Sequence, residues 1–180
     1  MWLIILKTIY FALPAFIANM APILAKKWTS FLNVPVDFNY KIKGENIFGQ
    51  NKTWRGFISA PIAAIFITGI QAILYQNFYF NKISIIDYPR YWLLFGFLAG
   101  MGTILGDLIK SFFKRRLKIK PGGSLPVFDQ IDYLLGFIIF TYFISSLEIS
   151  IIIVILAMGL ILNPIANLIA YKLGFKKVWW

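Results

Sequence analysis

Five apolar stretches, each long enough to cross a bilayer as a helix, constrain this chain more than any other feature of its sequence. They cover about residues 3–25, 57–80, 91–109, 127–147 and 149–171. A hydrocarbon core needs about 20 mostly apolar residues per helical crossing. Only helices and closed barrels satisfy the backbone in lipid, and continuous apolar runs without strict alternation exclude the barrel. The expected fold is therefore all-α: a polytopic integral membrane protein with five transmembrane helices. Residues 1–180 form one domain in this reading, with polar loops at 26–56 and 110–126. The first stretch carries only Lys7 before its apolar part and no clear small-residue cleavage site, so it reads as a retained span rather than a signal peptide. The short link between the last two stretches predicts an antiparallel pair.

The basic residues give the spans an orientation. Fifteen lysines and arginines (Lys26, Lys27, Lys41, Lys43, Lys52, Arg55, Lys110, Lys114, Arg115, Arg116, Lys118, Lys120, Lys172, Lys176 and Lys177) share one side of a five-span arrangement; Lys82 and Arg90, with Lys7 near the amino end, are on the other. The positive-inside rule then places the basic face in the cytoplasm, with the amino terminus outside and the carboxyl terminus inside. Trp179 and Trp180 read as an interfacial anchor beside Lys176 and Lys177. A net charge of +11 implies anionic partners. Because these cations lie between apolar spans, phospholipid headgroups or a phosphorylated substrate fit better than nucleic acid. Basic loops that only fix topology are the plainer alternative.

The chain has no cysteine and no histidine. Disulfides, thiolate chemistry and Cys/His zinc sites are excluded, as is the commonest general base near neutral pH. Chemistry has to come from carboxylates, basic groups, hydroxyls or a metal held by oxygen. Three of the seven acids fall at one membrane level. Asp107 ends the third span, and Asp129 and Asp132 open the fourth, three positions apart and so on one helical face. Carboxylates at membrane depth are costly and mark functional sites. Three of them beside a basic loop have the makings of a magnesium–phosphate site: Mg2+ takes one or two carboxylates and completes its shell with phosphate and water. The alternative is that Asp129 and Asp132 cap the helix and pair with nearby basic residues.

Two basic segments adjoin these acids. Before the second span stands Gly49-Gln50-Asn51-Lys52-Thr53-Trp54-Arg55-Gly56. It has the ingredients of an anion site at a helix amino terminus, but Gln50 and Asn51 break the Walker A spacing. An interfacial cap with basic residues reaching to the surface is the competing reading. After the third span comes Ser111 with Lys114 and Arg115 one turn on, then Arg116, Lys118 and Lys120, which read as lipid-attracting charge.

The order Ser111, Lys114-Arg115, Lys120, then Pro126-Val127-Phe128-Asp129-Gln130-Ile131-Asp132, resembles the signature of membrane CTP:phosphatidate cytidylyltransferases. The length, the five spans, Asn51-Lys52-Thr53-Trp54-Arg55-Gly56 and Gly106-Asp107 are more similar to one branch, the CDP-archaeol synthases, over nearly the whole chain. The wider pattern has a His-Gly-Gly segment before the aspartates; here Gly122-Gly123 comes earlier and histidine is absent, which favours the archaeal-lipid branch. The resemblance implies a Mg2+-dependent nucleotidyltransferase acting on CTP and an isoprenoid glycerol phosphate lipid, 2,3-bis-O-geranylgeranylglycerol 1-phosphate, to give a CDP-lipid and pyrophosphate. It implies Asp107, Asp129 and Asp132 as metal ligands and catalytic groups with Lys114. Asn51, Lys52, Thr53 and Arg55 would hold the triphosphate or cytidine, and Ser111, Lys114 and Arg115 the lipid phosphate or pyrophosphate. A phosphatidate cytidylyltransferase and a CTP-dependent polyprenol kinase remain as alternatives. A transporter of phosphorylated solutes fits less well, because its site would lie near mid-membrane between repeated halves.

Overall fold

The computed structural model describes residues 2–120 and 122–174. The tryptophan anchor expected at Trp179 and Trp180, with Lys176 and Lys177, lies outside the described residues. Six helices follow in order: α1 (Trp2–Leu24), α2 (Trp54–Leu74), α3 (Phe78–Ile83), α4 (Tyr88–Arg116), α5 (Phe128–Ser145) and α6 (Ile149–Lys172). All but the six-residue α3 are long and apolar enough to cross a membrane. The chain is a five-span membrane protein. Its many exposed large hydrophobics, among them Phe66, Ile73, Ile139, Phe143 and Ile153, are surface that lipid covers.

Boundaries differ most from the apolar stretches at the ends of α2 and α4. The second stretch ends early: α2 stops at Leu74, and the chain turns before Asn77, whose side chain caps α3 by accepting from Tyr79 N. A larger difference is in α4. The segment expected as loop from residue 110 is helical to Arg116. At 1.5 Å per residue these 29 residues span about 43 Å, against about 30 Å of hydrocarbon, so α4 carries its polar end well past the membrane core. Hydropathy sees the core crossing and misses the projecting turns.

The core is built on α4, which packs between α2 and α5. Ala60 and Ala64 of α2 are fully buried, as is Ala99 of α4. Gly96 and Gly100 meet the backbone of α2 at Ile65 and Pro61; on the opposite side Gly102 and Gly106 meet α5 at Gly136 and Asp132. Small residues let backbones approach closely where lipid supplies no hydrophobic drive between helices. Phe11, Phe95 and Phe137 join α1, α4 and α5, with ring centroids 5.1 to 6.1 Å apart. Each such pair adds about 0.5–1.5 kcal/mol.

The segment between α1 and α2 is an ordered lobe, with two 3-10 turns and a two-residue antiparallel pair, β1 (Lys41–Ile42) with β2 (Glu45–Asn46). Arg116, at the end of α4, donates to the carbonyls of Ile42 and Asn46 at 2.7 Å each. The buried Asp37 holds the other side. Its carboxylate accepts from the N–H groups of Asn39, Phe48 and Gly49 at 3.0, 2.8 and 3.1 Å. Burial pushes this carboxyl up, but the backbone donors outweigh it and keep it below the usual carboxylate range.

Candidate functional site

The lobe, the projecting end of α4 and the start of α5 enclose a cleft of about 520 Å³. All ten residues singled out from the sequence line it: Asn51, Lys52, Thr53, Arg55, Asp107, Ser111, Lys114, Arg115, Asp129 and Asp132. The close approach of α4 to α5 accounts for the acidic part. Gly106 packs on the Asp132 carbonyl, so Asp107, the next residue, stands opposite Asp132.

At the centre lies a residue the sequence reading treated only as loop charge. Lys110 Nζ is 3.1 Å from Asp107 Oδ1, 3.3 Å from Asp129 Oδ1 and 2.9 Å from Asp132 Oδ2. Asp107 and Lys110 are three apart on one helix, the spacing at which side chains meet. Two further lysines close the cluster from outside: Lys52 is 2.5 Å from Asp107, and Lys114 is 2.9 Å from Asp129. Asp132 Oδ2 is buried and receives no directed hydrogen bond; its tie to Lys110 is ionic.

Five basic side chains and three carboxylates line the cleft. The three lysines pair with the three acids, leaving Arg55 and Arg115 in excess. The Nε of each arginine is buried without a hydrogen-bond partner among the described residues, and neither is within ion-pair distance of an acid there. Arg115 lies under Gly49, whose φ of +102° suits glycine. An arginine Nε buried without an acceptor is costly, and the planar guanidinium fork matches paired oxygens of a phosphate.

Other placements differ from expectation. The Ser111 hydroxyl donates to the Asp107 carbonyl at 2.8 Å, so towards a ligand it offers only its acceptor face. Thr53 precedes α2 without a side-chain cap. Asn163 and Asn167 of α6 also line the cleft, and Asn163 donates to the Asp129 carbonyl at 2.9 Å. The sequence reading passed over both asparagines, although polar groups within a span are themselves a signal.

Val127 directs Asp129. It has φ +69° and ψ −57°, and Phe128 N bonds Pro126 O at 2.8 Å across it: a three-residue γ-turn of the rare, strained positive-φ kind. Beyond the turn, Leu125 and Asp129 bond reciprocally. Leu125 N donates to Asp129 Oδ2 at 2.6 Å and Asp129 N to Leu125 O at 3.0 Å. A β-branched residue held at positive φ costs about 1–3 kcal/mol. Val127→Gly should therefore raise the midpoint of thermal unfolding in detergent, and a lower midpoint would contradict the strain.

The cluster fits magnesium in donor type, being all carboxylate oxygen beside an anion-seeking surface. Its centre already holds a cation, the Lys110 ammonium. Among the described residues no three acidic side chains are gathered closely enough to cage a metal unaided.

Comparison with known proteins shows the family. A family model described as CarS-like CDP-archaeol synthase matches residues 1–180. CDP-archaeol synthase of Methanocaldococcus jannaschii is 32% identical over 178 residues, 98% of each chain. That of Pyrococcus horikoshii is 33% identical over 177 residues, 98% of this chain and 97% of the other. A solved intramembrane enzyme for archaeal membrane lipid biosynthesis superposes with a TM-score of 0.75 at 27% identity, covering 91% of this chain and 94% of that one.

Proposed function

The chain belongs to the CDP-archaeol synthase family, and on that basis we propose that it transfers CMP from CTP to 2,3-bis-O-geranylgeranylglycerol 1-phosphate, an unsaturated archaetidic acid, releasing pyrophosphate. The observation that carries this reading is the charge balance of the cleft. Its lysines are matched by carboxylates, while Arg55 and Arg115 keep buried donors unpaired. Two phosphorylated substrates meeting there would supply the missing acceptors.

A lipid phosphate oxygen forms the new bond to the α-phosphorus of CTP as the α–β anhydride bond breaks and pyrophosphate leaves. That oxygen is already anionic near neutral pH, so no side chain has to take a proton, in keeping with a chain that has no histidine. The protein's work is positioning and charge neutralisation. Asn51, Lys52, Thr53 and Arg55 hold the nucleotide, and Lys114 and Arg115 the lipid phosphate or the departing pyrophosphate. Asp107, Asp129 and Asp132 would hold Mg2+. When bound, the ion would neutralise phosphate oxygens and polarise the reacting phosphorus.

The basic end of the bundle faces the cytoplasm in this reading, where CTP is found, with the amino terminus outside. Met20 and Ile23 of α1 and Ala166 and Ala170 of α6 give the cleft an apolar side wall, against which the isoprenoid tails would lie.

Purified protein incubated with Mg2+, the lipid phosphate and CTP labelled at the α-phosphate should yield labelled lipid. Label reaching lipid only from the γ-phosphate would make the chain a kinase instead. No labelled lipid from either position would remove the transferase reading.

A further inference from the structure

We propose that Asp37 is a positioning residue for the nucleotide: its carboxylate sets the place of the turn that carries Asn51 and Lys52. The inference rests on the reading of those two residues as nucleotide-holding and adds what fixes them. Asp37 itself does not line the cleft. It acts through backbone alone.

One short segment, residues 34–37, holds the turn at both ends. At the far end Val36 N donates to Lys52 O at 2.8 Å and Trp54 N to Val34 O at 2.9 Å. At the near end Asp37 Oδ2 accepts from Phe48 N and Gly49 N at 2.8 and 3.1 Å. Between them Lys52 N bonds Gly49 O at 3.0 Å, closing a four-residue turn with Gln50 and Asn51 at its tip. The near end therefore depends on a side chain, and that side chain is buried, 5% exposed. Its other oxygen takes Asn39 N at 3.0 Å. Three backbone donors converge on two oxygens. A carboxylate satisfies them all, whereas an amide would turn a donor of its own against one of them.

What the turn carries makes its place matter. Lys52 reaches Asp107 of α4, and Gly49 lies over the side chain of Arg115, whose Nε is buried without a partner. Gly49 has φ +102°, a conformation that glycine adopts at no steric cost, and the bond from its N–H to Asp37 holds it there. Releasing that N–H lets the turn swing off α4. Asn51 and Lys52 then no longer meet a nucleotide that α4 still contacts. Binding shared by ground and transition states is what is lost, so the KM for CTP rises while kcat stays.

Asp37→Asn keeps the size of the side chain and loses its charge. It should raise the KM for CTP about 10- to 100-fold, the scale of one charge-assisted hydrogen bond, with kcat and the KM for the lipid phosphate nearly unchanged. A purely structural role would lower the folded fraction and leave both KM values as they are, which would overturn the proposal. A second readout needs no turnover. The chain has no cysteine, so cysteines placed at the exposed Gln50 and Phe113 carry spin labels at unique sites, and pulsed electron paramagnetic resonance gives the distance between them. Asp37→Asn should broaden or shift that distance; an unchanged distribution would overturn the proposal whatever reaction the chain performs. Should Asp37→Asn not fold, Gly49→Ala decides. Its Cβ would meet Arg115 at an ordinary 3.6 Å, but its φ is strained, so it should raise the KM for CTP and shift the same distance with Asp37 intact. A folded Gly49→Ala chain with native values of both would sink the idea. Absence of α-phosphate label transfer in the wild type would remove the nucleotide role, while the distance still shows whether Asp37 places the turn.

Discussion

Asp129→Asn should lower cytidylyl transfer by about 10³-fold, the scale on which a pre-organised electrostatic group contributes to turnover, while leaving the five-span bundle folded. The asparagine keeps the size of the side chain and one acceptor oxygen, so the bond from Leu125 N, 2.6 Å in the native chain, can persist and the turn at Val127 can hold. What is lost is the charge that Lys110 and Lys114 meet at 3.3 and 2.9 Å. Both lysines then lack part of their counter-charge, and the metal reading loses one of its oxygen ligands. Asp132→Asn should fall as far, since its carboxylate is the most buried of the three, with a side chain 6% exposed. Initial rates of α-phosphate label transfer, read beside size-exclusion profiles and circular dichroism, check this. A folded Asp129→Asn or Asp132→Asn chain at full activity would remove that aspartate from the metal assignment.

The spans were legible in the sequence because lipid permits few backbones and apolar length reports them directly. The polar chemistry was legible in part. Asp107, Asp129 and Asp132 stood out because acids are rare here and fall at one depth. The projecting turns of α4 were hidden, because a hydropathy pattern ends where the hydrocarbon ends while the helix continues to Arg116. Lys110 was missed for that reason: in a loop it is one cation among many, whereas on a helix its three-residue spacing from Asp107 turns it into the cluster. Asp37 was missed for a different reason. Its partners are the N–H groups of Asn39, Phe48 and Gly49, and backbone amides leave no mark in side-chain composition. Asn163 and Asn167 stood inside a run read only for its length.

Gly136 is where fold and site depend most directly on one atom. A Cβ there would run into the carbonyl of Gly102 and lie 2.9 Å from Gly106 N. Both obstacles are backbone of α4, which cannot rotate aside as a side chain could. The only relief is for α5 to move away from α4. That movement opens the contact between Gly106 and the Asp132 carbonyl and carries Asp129 and Asp132 away from Asp107, so the carboxylates that share Lys110 separate. Forced overpacking costs about 1–3 kcal/mol in ordinary cores, and Gly136→Ala should lower the thermal midpoint and abolish transfer while some folded protein remains. Gly136→Leu adds a branched side chain at the same contact and should yield no monodisperse protein in detergent. Gly69→Ala is the control. It is also a helical glycine facing a neighbouring span, but its Cβ would meet the Trp92 ring at 3.5 Å, an ordinary contact, and the variant should match the wild type in midpoint and rate. If Gly136→Leu behaves like Gly69→Ala, the α4–α5 approach is not what brings the three carboxylates together. The cluster would then have to be held by the lysines alone.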